Sequence, residues 1–98
     1  MKLWFAWVGH KKDSSNKSHL WGILYREEKG DTRKYICWGV AKSRAYIIEP
    51  VNLVDAYGKK QQKISQGYKE INQDKVERHW PNFMDDIEMQ FILEKLTQ

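Results

Sequence analysis

The sequence predicts an α+β fold, in which a small twisted antiparallel sheet of four or five strands packs on one helix and a further helix is added at the C-terminus. Two observations predict it. In the first half of the chain, apolar and aromatic runs alternate with short polar turns, which is the pattern of successive short strands. After Pro50 a set of residues recurs at steps of three and four, which is the spacing of one helix face: Leu53, Val54, Tyr57, Gln61 and Ile64.

The strands are predicted from their apolar runs and from the turns between them. Four segments have the composition of strands: 2–8, 20–26, 32–40 and 45–48. Within the segment 2–8 every residue after Lys2 is apolar, as expected of a strand that is covered on both faces. The turn at 27–31 contains Gly30, which adopts a positive φ at little cost, so the second and third strands are predicted to form a hairpin. Glu49 and Pro50 are expected to end the fourth strand.

The first helix has signals for both of its ends. Asn52, followed three residues later by Asp55, resembles an N-terminal capping arrangement just after Pro50. Gly67 suits the left-handed position that follows a helix. A basic cluster then lies on its last two turns: Lys59, Lys60 and Lys63. Residues 67–71 are predicted to form a last short strand or an extended segment.

The C-terminal part reads as a linker followed by an amphipathic helix. Residues 72–77 are polar apart from Val76, and a helix is predicted to start near Pro81 and Asn82. Its apolar stripe comprises Phe83, Met84, Ile87, Phe91 and then Leu93 or Leu96. The predicted organisation is therefore an α+β domain at 1–72, with a linker and helix at 73–98.

Size and cysteine content restrict the class of protein. A chain of 98 residues has room for a single core, and five Trp, five Tyr and three Phe supply much of its apolar surface. The single cysteine, Cys37, excludes an internal disulfide and a zinc site built from cysteines. Cys37 lies inside an apolar run, so it is expected in the core. The use of a single buried cysteine fits a protein from a reducing compartment, and the expected location is the cytoplasm. No apolar stretch approaches the roughly 20 residues of a membrane helix.

Charge is distributed unevenly along the chain. Residues 1–72 contain 14 basic and 7 acidic side chains, which gives +7, and residues 73–98 contain 3 and 6, which gives −3, for the total of +4. A basic body favours polyanions such as nucleic acid. The alternative is a protein that is rich in lysine and has no such ligand.

Catalysis has little support in the sequence. The three histidines lack the spacing of metal ligands, and Ser14 and Ser15 lack the glycines of a nucleophile elbow. Asp85 and Asp86 lie at a predicted helix start, where capping and the helix dipole account for them. We therefore expect a protein without catalytic residues, metal or cofactor.

Nucleic-acid binding has more support. Trp38 precedes Gly39, which leaves the indole face uncovered, so the ring could stack on a base or sugar. The basic residues around it could contact phosphates. The predicted nucleic-acid-binding residues are Trp38, Lys42, Arg44, Lys59, Lys60, Lys63 and Lys69. The alternatives are that Trp38 is a core residue and that the lysines form a solvated helix face.

Residues 1–72 resemble a WGR domain. The similarity is carried by Trp38-Gly39, the basic turn at 42–44, the lysine-bearing helix and Gly67-Tyr68. It implies a small antiparallel sheet packed against one helix, and a tryptophan that approaches the sugar of a terminal nucleotide in DNA-binding members. Trp38 is the candidate for that role. The family's motif arginine is replaced by Val40, which cannot make the contacts of an arginine.

Two functions therefore follow from the sequence. The first is a non-catalytic nucleic-acid-binding module, with DNA as the expected ligand. The second is a protein-interaction adaptor or inhibitor. The resemblance suggests it, because WGR domains usually accompany a larger protein. This function includes a protein that is encoded by a mobile element and directed at a host or phage-defence complex. The partner-binding residues would then be Trp80, Phe83, Ile87 and Phe91. The C-terminal helix is expected either to dock on the body or to pair with a second copy in a homodimer.

Overall fold

The computed structural model describes residues 1–40 and 47–96, which form a five-stranded antiparallel sheet and three helices. The strands are β1 (Lys2–Lys12), β2 (Ser18–Glu28), β3 (Asp31–Val40), β4 (Ile47–Pro50) and β5 (Lys69–Glu70). The helices are α1 (Leu53–Ser65), α2 (Gln73–His79) and α3 (Phe83–Leu96). The strand order is β4-β3-β2-β1-β5, with β2 at the centre. The predicted α+β class and the antiparallel sheet are confirmed.

The sheet has a core on each face, because helices cover both sides. On one face α1 packs through Ala56 on Trp7, Trp21, Ile23 and Ile36. On the other face α2 and α3 cover a larger cluster, which the sheet supplies with Val8, Leu20, Leu24, Tyr35 and Cys37. Cys37 is fully buried, as predicted, and its burial raises the pKa of the thiol.

A β-bulge explains how the apolar run of β1 serves both cores. The register between β1 and β2 shifts between Phe5 and Trp7, and the intervening Ala6 is exposed. One extra residue changes which face the following side chains occupy. Phe5 therefore stacks on Phe83 of α3, with ring centroids 5.5 Å apart, whereas Trp7 contacts Trp21 on the α1 face.

The turns and caps predicted from the sequence are present. Lys29 and Gly30 both have positive φ in the β2–β3 hairpin. The Asn52 side chain accepts a 2.8 Å hydrogen bond from the backbone N–H of Asp55 at the start of α1. Gly67 has a φ of 101°, and the N–H of Tyr68 bonds the carbonyl of Lys63 in the pattern of a Schellman motif.

Three predictions about the elements are wrong. Glu49 and Pro50 belong to β4, and Pro50 is tolerated because β4 is an edge strand. Residues 72–77 are not a linker, since Asn72 caps the short helix α2. The apolar residues that predict α1 do not face the sheet: Ala56 is the buried residue of this helix, whereas Leu53 and Tyr57 are exposed.

The C-terminal helices dock on the body, and this corrects the assignment of their aromatic residues. The four residues predicted to bind a partner are each at most 2% exposed: Trp80, Phe83, Ile87 and Phe91. The indole N–H of Trp80 also donates a 2.9 Å hydrogen bond to the carbonyl of Val40, at the end of β3. These side chains belong to the core of this fold and present no surface to another protein. Among the described residues, no helix is long and apolar enough to cross a membrane.

Candidate functional site

A groove between the end of β3 and the C-terminal half of α1 brings three of the predicted site residues together. It encloses about 350 Å³, and Trp38, Lys59 and Lys63 lie in its wall. The other wall residues come from β2, β3, β4, α1 and the segment after α1: His19, Leu20, Trp21, Ile36, Gly39, Val40, Glu49, Gln62 and Tyr68. We call this surface the Trp38 groove.

Local structure places each of its principal side chains. In β3 the alternation of side chains puts Trp38 on the same face as the buried Ile36, and the indole remains half-buried at the edge of that core. Lys59 and Lys63 are four residues apart, so they lie on the same face of α1. The left-handed turn at Gly67 then places the ring of Tyr68 below Lys63, with Nζ 5.5 Å from the ring centroid.

The groove is basic, with one opposing carboxylate. Within the described residues, neither Lys59 nor Lys63 forms an ion pair, so both ammonium groups are available to an anion. Glu49 lies in the same wall and is exposed, so its negative charge opposes anion binding. Partial burial raises the pKa of Tyr68, which therefore stays a neutral phenol at physiological pH.

The remaining predicted site residues do not join the groove. Lys60 lies on the flank of α1 that faces away from Lys59 and Lys63. Its Nζ lies 5.6 Å from the ring centroid of Trp7. Lys69 pairs with His10 at the sheet edge, on the face that α2 covers. Lys42 and Arg44 lie outside the described residues.

Nine of the twelve groove residues are not among the predicted site residues, and two of these, Tyr68 and Glu49, bear on ligand binding. The sequence indicates Tyr68 only through the pair Gly67-Tyr68. An aromatic residue directly after a helix-ending glycine is the local signal that its ring lies beside the end of the helix. Glu49 was expected only to end a strand. Its place opposite Ile36 in the β3–β4 register puts it on the α1 face, and no local pattern indicates that register.

His19, at the end of the groove, is held by the β1–β2 loop. Its Nε2 lies 2.7 Å from Oδ2 of Asp13, and this hydrogen bond lowers the pKa of the Asp13 carboxyl. The other carboxylate oxygen of Asp13 accepts hydrogen bonds from the backbone N–H groups of Ser15 and Lys17. The pair therefore orders the loop, which is a sufficient role for both side chains.

A second cavity, of about 390 Å³, lies near the β2–β3 hairpin and is a poorer candidate for an anion site. Its two guanidinium groups are already paired, Arg26 with Glu28 at 2.6 Å and Arg33 with Asp31 at 3.1 Å. The Arg26 guanidinium also stacks on Phe91, 4.4 Å from the ring centroid. An incoming anion would compete with these carboxylates, whereas it would meet unpaired lysines in the Trp38 groove.

A pair of stacked histidines lies outside both cavities. The rings of His10 and His79 are 4.3 Å apart and nearly parallel, and they join β1 to α2. The Nε2 atom of His10 is buried, and no residue that the structure describes forms a hydrogen bond with it. Desolvation lowers the pKa of His10, and the nearby His79, Lys12, His19 and Lys75 lower it further.

This pair predicts a loss of stability in mild acid. The pKa of His10 in the folded chain is below its ordinary value of 6.5, so the unfolded chain binds a proton more readily. The neutral His10 ring therefore contributes fully to the free energy of unfolding above pH 6.5. This contribution is lost as the pH falls below that value toward the pKa of His10 in the folded chain. Urea unfolding between about pH 5 and pH 8 should show a smaller pH dependence for His10→Phe than for the wild type. Equal pH dependence in the two proteins would contradict this assignment.

Comparisons of the chain with protein-family models, with curated proteins and with solved structures find no match. Among the described residues, no group of three or more His, Cys, Asp or Glu side chains is arranged to hold a metal ion. The WGR resemblance therefore remains a prediction, and the functional argument depends on the geometry of the Trp38 groove.

Proposed function

We propose that this chain is a non-catalytic nucleic-acid-binding module, with DNA as its ligand, and that the Trp38 groove is its binding site. One observation carries the proposal: a half-exposed indole and two lysines that form no ion pair with any described residue, from different elements, converge on one groove. Aromatic faces beside cations are the elements from which nucleic-acid grooves are built.

Each part of the groove has a distinct role in this proposal. Lys59 and Lys63 hold one or two phosphates, since ammonium groups are strongly attracted to phosphate oxygens. Trp38 and the neutral Tyr68 offer ring faces to a base or a sugar. Glu49 keeps the binding modest. Because few phosphates are neutralised, we expect weak, salt-sensitive binding without marked sequence preference.

The salt dependence of binding tests this proposal. Fluorescence anisotropy of labelled single-stranded, duplex and nicked oligonucleotides should give a dissociation constant on the order of micromolar or weaker at low salt. Two phosphate contacts predict a slope of log K against log salt of about −2 for duplex and about −1.4 for single strands. An absence of binding at low salt, or binding that salt does not weaken, would contradict the proposal.

A further inference from the structure

The outer face of α3 is apolar and acidic. Phe83, Ile87 and Phe91 face the core, whereas Met89, Ile92 and Leu93 are between 41% and 54% exposed on the opposite side. At 100° per residue these three side chains fall in one arc, together with the carboxylates of Asp85, Asp86 and Glu88. We call this surface the α3 face. A helix that is apolar on both sides is expected to have a second contact.

The outer flank of α1 is also apolar, and its one charged side chain, Lys60, is basic. Leu53, Val54, Tyr57 and Ile64 are between 44% and 80% exposed, since only Ala56 reaches the core. Leu53, Tyr57 and Ile64 follow the spacing of one helical stripe, which Lys60 shares. We call this surface the α1 face. It lies on the opposite flank of the helix from Lys59 and Lys63, and hence from the Trp38 groove.

The two faces complement each other in charge and in length. The α1 face carries one charged side chain, Lys60, a charge of +1, whereas the α3 face carries the three carboxylates of Asp85, Asp86 and Glu88, a charge of −3. The lengths of the two helices, 13 and 14 residues, both correspond to about 20 Å. Since they cover opposite faces of one sheet, the α1 face and the α3 face of a single chain cannot meet.

We propose that the occupant of each face is a second copy of this chain, with the α1 face of one molecule packed on the α3 face of the next. A symmetric α3–α3 pairing would bring Asp85, Asp86 and Glu88 against the same carboxylates, and a symmetric α1–α1 pairing would bring the Lys60 ammonium groups of two copies together with no carboxylate of the α1 face between them. Pairing of unlike faces is heterologous, so it builds rings or open chains rather than closed twofold dimers. An interface of two short helices is small, so the association is weak and reversible. It leaves the Trp38 groove open.

Sedimentation velocity of the full chain over a range of concentrations, at low and high salt, tests this proposal. Species larger than a dimer should appear as the concentration rises, and high salt should shift the distribution toward monomer. A single monomeric species at about 1 mM and low salt, or a species that stops at a dimer, would overturn it.

Two neutral variants test which faces meet. Tyr57→Gln/Ile64→Gln alters the α1 face, and Met89→Gln/Leu93→Gln alters the α3 face, all at exposed positions where the fold should survive. Each variant alone should be monomeric, and an equimolar mixture should form a one-to-one dimer, because one intact face remains on each partner. Lys17→Gln, in the β1–β2 loop, is the control and should associate like the wild type. Association that survives in either variant, or a mixture that stays monomeric, would overturn the proposal.

Discussion

A chain that ends at Asn72 is expected to lose cooperative folding. The deletion removes α2 and α3, which contribute five side chains that are at most 2% exposed: Val76, Trp80, Phe83, Ile87 and Phe91. Burial of one large apolar side chain stabilises a fold by about 1.5–3 kcal/mol. Five of them amount to about 10 kcal/mol, which is comparable to the whole stability of an ordinary domain. The deletion also exposes the sheet side of the same core, including Leu24 and Cys37.

Circular dichroism, thermal melting and light scattering of the truncated chain measure this effect. We expect no cooperative melting transition and an increase in aggregation, since a row of apolar side chains on the sheet becomes exposed. Phe83→Ala is the milder variant and should lower the free energy of unfolding by about 3–5 kcal/mol. Leu93→Ala, at an exposed position of the same helix, is the matched control and should change it little. A monomeric truncated chain that melts cooperatively near the wild-type temperature would show that residues 1–72 fold alone.

Most of the strands and caps could be predicted because their signals are local. Gly30 marks the β2–β3 turn, Asn52 and Asp55 mark the start of α1, and Gly67 marks its end, each within a few residues of the structure it determines. Apolar composition is sufficient to predict β1 as far as Val8, whereas the strand continues to Lys12. It does not reveal the bulge at Ala6, which depends on the pairing of β1 with β2.

The helices were harder to predict because tertiary contacts decide which side is buried. The stripe of Leu53, Tyr57 and Ile64 predicts α1, but the close approach of the helix to the sheet selects the small Ala56 for the contact. The short helix α2 has Val76 as its buried residue, so its sequence carries almost no periodic signal. Its structure depends on the cap at Asn72 and on packing against the sheet.

The candidate site was predicted in part. The sequence suggested Trp38, Lys59 and Lys63, and the fold brings these three into one groove. It also suggested Lys60 and Lys69, which do not line the groove. Lys60 points in a different direction from its helical neighbour Lys59, and Lys69 pairs with His10 in the sheet. The role of Glu49 could not be predicted, because it depends on the register between β3 and β4.

Reversal of the two groove lysines is expected to have the largest effect on binding. In Lys59→Glu/Lys63→Glu the phosphate contacts become repulsive. The affinity for DNA should fall by between tenfold and a hundredfold, which corresponds to a loss of about 1.4–2.7 kcal/mol in binding free energy. The slope of log K against log salt should approach zero, because each lost phosphate contact removes about one unit from it. Glu49→Gln should act in the opposite direction and strengthen binding, since it removes the carboxylate from the groove wall.

The most direct test of the Trp38 groove as the binding site compares this variant with Lys12→Glu/Lys69→Glu. Both variants reverse two exposed or partly exposed lysines and change the net charge by the same amount, from +4 to 0. Long-range attraction therefore falls equally in the two proteins, and only local contacts differ. Anisotropy titrations of one labelled oligonucleotide at several salt concentrations should show the salt slope lost in the groove variant and largely kept in the control. Equal losses in the two variants would show that general positive charge, and not the Trp38 groove, binds the nucleic acid.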